Sequence, residues 1–430
     1  MGNPQLSTLN SQPLTVLNET LGMSARLAHL PTTCRLLPTL AHFTASAAAW
    51  LAVTALWAVV PAVAAAPRGY PAGGALAGQR PRVIVSSDIG GADPDDFQSM
   101  VHLLVYADVL DIEGLISSPP GKGRVADILE VLAAYEQDYP QLKRHSQTYP
   151  APASLRGLVK QGATEPAPEE GYGRPTEGSR WIVQRARRSG SPPAGHQCAT
   201  GVTPVPPASA TRPLWILVWG GISDVAQAVH DEPGIKAEIR VYSTGSWNTR
   251  NDPAARGYLH QRHRDLWWIE SDTAFRGMYQ GGRAPTEGGH QAKLGPDGPW
   301  GNRSFLDRHV KGHGALGDLL CRKKADLKMG DTPSLLYLLR GDPDDPTREH
   351  WGGAFVSTDH GRHYWTDNPA AELREGNYAG AKTVNKWRVD YLGDWQARMD
   401  WAVRAPKARP QNRTSRWRAG DLQRGPVLLW

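Results

Sequence analysis

From Pro81 onward the chain alternates short apolar strands with helical patterns, and that alternation most limits what it can fold into. Arg82–Ser86 reads as a buried strand and Asp96–Ala107 as the helix after it. Ile112–Ser117 and Val125–Tyr135 repeat the pair. Leu214–Trp219, Ile239–Ser243 and Leu266–Ile269 are further strands, the first two followed by the helices Val225–His230 and one starting at Pro253. Strands joined through helices run parallel, with right-handed crossovers. The expected architecture is therefore α/β: an open, mainly parallel sheet flanked by helices, in a single main domain over residues 81–403. A chain of 430 residues with 40% hydrophobic content is long enough to bury such a core.

In such a sheet ligands bind beyond the carboxyl ends of the strands. Four of these ends carry small, polar or acidic residues. The first runs Ser87-Asp88-Ile89-Gly90-Gly91-Ala92-Asp93-Pro94-Asp95-Asp96. One carboxylate at a helix start is an ordinary cap. Four so close together repel one another unless a shared proton or a cation offsets the charge, and oxygen ligands suit Ca²⁺ or Mg²⁺. Capping plus a solvated acidic turn is the plainer reading. The strand at Leu214 ends at Gly220-Gly221 with Ser223-Asp224 opening the next helix, and the strand at Ile239 ends at Gly245-Ser246-Trp247-Asn248. Asp252 is placed to cap the helix that follows. The strand at Leu266 ends at Glu270 and Asp272, which makes Glu270 a substrate-binding candidate. Asp331 precedes Thr332-Pro333-Ser334, where a helix cap is the simplest role for it. Gly121-Lys122-Gly123 lacks the spacing of a phosphate loop and reads as a turn or substrate loop.

The rest of the chain frames this domain. Residues 1–66 read as a signal peptide: Phe43–Ala66 is almost wholly apolar, and Ala62-Val63-Ala64 is a small-x-small cleavage pattern. The basic stretch before it is long for a signal peptide, so Met23 is a candidate true start. A retained amino-terminal anchor is the alternative, because the run approaches spanning length. Residues 67–80 read as a linker and 189–212, rich in Pro, Gly and Ser, as a disordered insertion within a long irregular passage. The formal charge of +6 is concentrated in a basic tail, 404–430, and no nucleic-acid motif accompanies it. Three cysteines form no framework; Cys198 and Cys321 either pair in an oxidising compartment or stay free thiols. Sixteen Trp against five Phe is unusual, and exposed Trp is a common platform for sugar rings and flat ligands.

Taken together, SDIGGADPDDFQSMVHLLVYAD (Ser87–Asp108), IEGLISSPPGKG (Ile112–Gly123), WGGISDVAQAV (Trp219–Val229), GSWNTRNDPAAR (Gly245–Arg256), WWIESDTAFRGMY (Trp267–Tyr279) and GDTPSLLYLL (Gly330–Leu339) carry a resemblance. The chain resembles the inosine–uridine-preferring nucleoside hydrolase superfamily, and more closely its secreted branch, the nucleoside-hydrolase-like domain of proteins labelled cellulose-binding. The resemblance implies a Rossmann-like, nucleoside-hydrolase-like fold and one bound Ca²⁺. It implies that Asp88 ligates the metal and acts as base toward water, that Asp96 is a bidentate ligand, and that the Ser223 carbonyl and Asp331 complete the metal site. Asp95 and Asn248 would hold the sugar.

The chain also departs from the family motif D-x-D-P-G-x-D-D. Ser86 replaces its first Asp, and six residues rather than three separate Asp88 from Asp95. Lys122 stands where the classical enzymes carry a sugar-binding Asn, and Gly330 replaces the His that serves the leaving base. The expected activity is Ca²⁺-dependent hydrolysis of an N-ribosyl or related glycosidic bond in a secreted protein. The alternative is a carbohydrate-binding protein that has lost catalysis. Expected partners are a nucleoside or another glycoside, with a polysaccharide as the variant of that reading; neither nucleic acid nor, after cleavage, a membrane is expected. The branch usually adds a β-sandwich domain, for which the chain ends too soon.

Overall fold

The computed structural model describes residues 80–91, 93–118, 120–187, 212–281 and 302–405. The expected signal peptide, nearly all of the linker and of the 189–212 insertion, Cys198, and all but the first residues of the basic tail lie outside them.

In chain order the elements are β1 (Arg82–Ser87), α1 (Asp95–Val105), β2 (Asp111–Ser117), α2 (Val125–His145), α3 (Pro152–Arg156), β3 (Val159–Gln161) and α4 (Glu177–Ala186). Then follow β4 (Leu214–Val218), α5 (Ser223–Asp231), β5 (Ile239–Thr244), α6 (Trp247–Asn251), α7 (Pro253–Arg262), β6 (Trp268–Ser271), α8 (Asn302–His309), α9 (Gly314–Lys323) and α10 (Thr332–Leu339). The last are β7 (Phe355–Thr358), β8 (Gly361–Asp367), α11 (Ala381–Asn385) and α12 (Arg388–Trp401). The strands form one eight-stranded sheet in the order β3-β2-β1-β4-β5-β6-β8-β7. Every neighbouring pair is parallel except β7 with β8. This is the open, mainly parallel architecture that the alternation of strands and helices dictates.

The central strands are mostly buried because helices cover both faces of a parallel sheet. β1 and β4 are buried at every position. Side chains alternate between the two layers: Val83 and Val85 join one core with α1, α2, α9 and α10, while Ile84, Ile216 and Val218 join the other with α4, α5 and α7. Ser87 and Thr244 continue the first face, and Trp268 places Glu270 on the second. The chain builds β1, β2 and β3 in one direction and resumes at β4 on the other side of β1. The gap beyond the carboxyl ends of β1 and β4 is therefore the switch point where ligands bind in such sheets.

Several boundaries differ from the sequence reading. α2 runs on to His145, through Pro140, instead of ending at Tyr135. Tertiary contacts hold the extra turns: Asp138 accepts from Ala315 N and Leu316 N, 2.8 Å each, and so caps α9 from another element. The passage after Lys143 yields α3 and the edge strand β3 as well as α4. β6 starts two residues after Leu266, which puts Glu270 within the strand. The Gly-rich stretch from Gly281 contains α8. β7, β8 and α12 have no counterpart in the sequence reading. Asp252 and Asp331 occupy N-cap positions, yet neither side chain caps its helix. Cys321 carries no disulfide. Among the described residues no helix is long and apolar enough to cross a membrane.

Candidate active site: a buried acidic cluster at the switch point

Asp88 follows β1 directly and is half-buried, with Gly220 at the end of β4 packed against it. A Cβ at Gly220 would lie 2.7 Å from both the Asp88 Cβ and its backbone N, so only glycine lets the two strand ends approach this closely. Asp95 and Asp96 open α1 and are buried, at 7% and 4% exposure. Asp331, 5% exposed, arrives from the far end of the chain because α10 packs on α1; Thr332 Oγ1 and Ser99 Oγ are 3.2 Å apart there. The α10 start is also tied to β4, since Trp219 Nε1 donates to Ser334 Oγ (2.7 Å) and Ser334 Oγ donates to the Asp331 carbonyl (2.7 Å).

These carboxyl groups hold their protons tightly. Burial pushes Asp88 up to about 6, and the neighbouring Asp93 adds to it. Burial also raises Asp95 to about 6, against the pull of Lys328. Asp96 stands well above the usual carboxylate range through burial and then through the charges of Asp88, Asp331 and Asp95. Asp331 is likewise raised by burial and then by Asp95 and Asp88. The charges of Asp88, Asp95 and Asp331 are thus felt by one another and by Asp96. Little within reach offsets them. Ser87 Oγ donates to Asp96 Oδ1 (2.5 Å), and Gly330 N donates to Asp95 Oδ2 (3.4 Å). Lys328 pairs with Asp93 and lies 3.4 Å from Asp95 Oδ2; Lys324 lies 3.5 Å from Asp93 Oδ1. Among the described residues Asp88, Asp96 and Asp331 have no Lys or Arg within ion-pair distance.

Asp93 is half-exposed and shares Lys328 with the buried Asp95. The buried Thr244 hydroxyl stands beside Asp331 and offsets a little of its charge. An all-oxygen donor set fits a hard cation. Among the described residues no three carboxyl, His or Cys side chains yet stand at ligating separation.

The other expected residues divide. Asn248, on α6, donates from Nδ2 to the carbonyls of Trp219 (3.1 Å) and Thr244 (3.0 Å), bridging the ends of β4 and β5. Ser223 opens α5, and its hydroxyl donates to Asp252 Oδ2 (2.8 Å), while Asp252 Oδ1 accepts from Ala167 N (3.1 Å). Asp252 therefore ties loops together instead of capping α7. Glu270 lies on the opposite face of the sheet, gripped by Arg256 (3.0 and 2.7 Å) and by the Tyr364 hydroxyl. It lines a small cleft together with Gly220, Thr244, Asn248, Arg256 and Trp268. Lys122 is exposed on its loop. A Cβ at Gly330 would stand 3.1 Å from Asp95 Oδ2 and 3.6 Å from the Phe275 ring, so the space for a larger residue there is already taken.

Sequence reasoning missed Lys328, Ser87 as an Asp96 partner, and Thr244. The one available signal was the Lys324/Lys328 pair just before Asp331, but nothing in the chain shows that it meets Asp93, 235 residues away.

Comparison with known proteins places these features. No curated protein matches the chain. A nucleoside hydrolase-related hypothetical protein from Saccharophagus degradans, associated with carbohydrate metabolism, is 26% identical over 76% of this chain and 73% of its own, with a TM-score of 0.54. A purine-preferring ribonucleoside hydrolase from Gardnerella vaginalis is 12% identical over 75% of this chain and 99% of its own, at a TM-score of 0.40. An inosine-uridine preferring nucleoside hydrolase from Bacillus anthracis is 12% identical over 76% and 100%, at 0.39. The profile of the family described as cellulose-binding Sde182, nucleoside hydrolase-like domain, matches residues 82–203 and 202–355. With more than half of its length matched, the chain belongs to that nucleoside hydrolase-like family.

Proposed function

We propose that the protein hydrolyses a glycosidic bond at the acidic cluster, with Asp88, Asp96, Asp331 and the Ser223 carbonyl holding one Ca²⁺. The observation that carries this reading is the crowding of buried Asp95, Asp96 and Asp331 with half-buried Asp88, for which Lys328 is the one cation at ion-pair distance among the described residues. A bound divalent ion supplies the missing positive charge and acidifies water. Asp88, at the carboxyl end of β1 and only half-buried, is suited to take the proton from an attacking water. The remaining negative charge favours the oxocarbenium-like character that develops at the sugar carbon. Asp95 and Asn248 are the groups proposed to hold sugar hydroxyls. Glu270, already bound by Arg256, would shape the adjoining pocket, and Lys122 would reach the ligand only from the rim. The substrate is a nucleoside or another glycoside, and an extracellular site of action suits the cellulose-binding label of the family.

The test is a hydrolysis screen of nucleosides and aryl glycosides with and without Ca²⁺, beside Asp88→Asn. Turnover that needs Ca²⁺ and falls at least about a hundredfold in the variant supports the reading. Wild-type Ca²⁺ affinity in both Asp88→Ala and Asp331→Ala by calorimetry would remove the site. A second reading, saccharide binding without turnover, is favoured by the Lys328–Asp95 contact, which already neutralises part of the cluster. Binding to insoluble polysaccharide with no turnover in the Ca²⁺-supplemented screen would select it. Export through the amino-terminal apolar run is tested by amino-terminal sequencing of secreted protein, with a start near Ala65 expected.

A further inference from the structure

Arg276 carries a charge that the described residues leave unanswered. It is half-buried, and none of them brings a carboxylate to ion-pair distance of it. Arg82, Arg256 and Arg398 are covered to a similar or greater degree, and each is held by an acid: Glu113, Glu270 and Asp108. The Arg276 fork meets neutral hydroxyls instead. Nη1 donates to Tyr279 Oη and Nη2 to Ser246 Oγ, both at 3.0 Å. Its Nε is buried and finds no acceptor among the described residues. Asp272 is engaged elsewhere, accepting from Ser246 N. The rings of Phe275 and Tyr378, each 4.9 Å away, hold the guanidinium in place. A guanidinium so held keeps its charge for an oxyanion, which it can meet through two parallel N–H bonds.

Its two partners lead to the two residues proposed to hold the sugar. Ser246 stands in the turn that opens α6, just before Asn248, and its φ of +58° is one that a residue with a Cβ rarely adopts. Such a turn persists only where its surroundings enforce it, here through Asp272 and Arg276. Tyr279 leads the other way, because the charges of Arg276, Lys328 and Asp95 all reach its hydroxyl. Phe275 packs on the same side: a Cβ at Gly330 would stand 3.6 Å from its ring, and Gly330 N donates to Asp95 Oδ2 (3.4 Å). Lys328 is already taken by Asp93 and Asp95, so of these two cations only Arg276 lacks a carboxylate. A guanidinium can only donate, so Tyr279 Oη accepts from it and keeps its own proton for a ligand. Resting on the proposed glycoside ligand, we propose that Arg276, with the Tyr279 hydroxyl, binds an acid group on the sugar held by Asp95 and Asn248, so that the ligand is an anionic glycoside, a uronate or a sugar phosphate.

The test titrates the full chain by calorimetry, in the presence of Ca²⁺, with two matched pairs. They are methyl β-glucuronide against methyl β-glucoside, and uridine 5′-monophosphate against uridine. Wild type should bind the acid-bearing member of one pair about tenfold or more tightly than its neutral partner, and the preference should shrink as salt rises. The pair that shows it tells carboxylate from phosphate. Arg276→Met should lose about tenfold for that member and little for the neutral one, while Arg276→Lys keeps part of the preference. If Arg276 only braces the Ser246 turn, both members weaken together, which overturns the proposal. Because glycine adopts a positive φ freely, Arg276→Met combined with Ser246→Gly keeps the turn without its brace and must show the same selective loss. Equal affinity within both pairs, or no binding of any probe by wild type, would also overturn it. Turnover of the same probes separates the two proposals. A preference for the acid without turnover leaves the Arg276 contact standing while the hydrolytic reading fails, and turnover without preference does the reverse.

Discussion

Two groups of buried carboxylates sit at the carboxyl edge of one sheet, on opposite faces, and they are built differently. Glu270 is fully engaged: the Arg256 fork holds both its oxygens and the Tyr364 hydroxyl adds a third bond. Asp88, Asp95, Asp96 and Asp331 crowd together and, among the described residues, have Lys328 alone at ion-pair distance, beside Asp95. The first arrangement is what a fold needs to bury a charge. The second is what a fold tolerates when something outside the chain is expected to finish the job. The contrast is chemical, not positional, because Thr244 and Gly220 border both groups.

Arg256→Ala attacks the satisfied side. It leaves Glu270 with only the Tyr364 and Thr249 hydroxyls, and a loss of about 3 kcal/mol is expected in a denaturant titration. No change in midpoint would mean that the pairing is idle and the contrast false. The unsatisfied side should respond in the opposite sense. Asp331→Asn or Asp96→Asn removes a repelling charge, so without Ca²⁺ the variant should gain roughly 1–2 kcal/mol. The same variant should lose the rise in thermal midpoint that Ca²⁺ gives the wild type. A destabilised variant in chelator would show that the carboxylates are structural.

The pH response sharpens the same point. Asp88 and Asp95 hold protons up to about pH 6 in the folded chain, whereas the ordinary value of an Asp is 3.8. Between those limits the folded state binds more protons than the unfolded one, so metal-free stability must fall as pH rises through the window. The expected difference between pH 5 and pH 7 is on the order of 1 kcal/mol, in favour of pH 5, and Ca²⁺ should shrink it. A flat profile in chelator would say that the cluster is already neutralised. Lys386→Ala calibrates the scale. It removes an ion pair with Glu349 in which both side chains are more than a third exposed, and the midpoint should move by less than about 0.5 kcal/mol.

The strand–helix alternation made the sheet legible, because buried parallel strands advertise themselves as unbroken apolar runs such as Leu214–Val218. The Asp88–Asp96 stretch was legible for a similar reason: so many acids at one strand end demand an account. Asp331 was ambiguous, since the residues before Pro333 suit a helix cap, and only the packing of α10 on α1 turns its side chain to the cluster. β8 escaped notice because its buried positions, Tyr364, Trp365 and Asp367, are interrupted by polar ones. Lys328 and Arg256 escaped because an ion pair depends on a partner that chain order does not indicate.

The two ends of the sheet bear on how crowded a solution this protein can tolerate. β3 spans three residues and β7 four, and each leaves only a few backbone groups free along its outer side. A long apolar sheet with an open, regular border is a template on which extended chains can add. Here the eight-stranded interior is closed by borders too short to seed that growth, and β7 also runs against its neighbour's direction. Extending β7 with apolar residues should therefore show first as a lower aggregation threshold, before any loss of ligand binding.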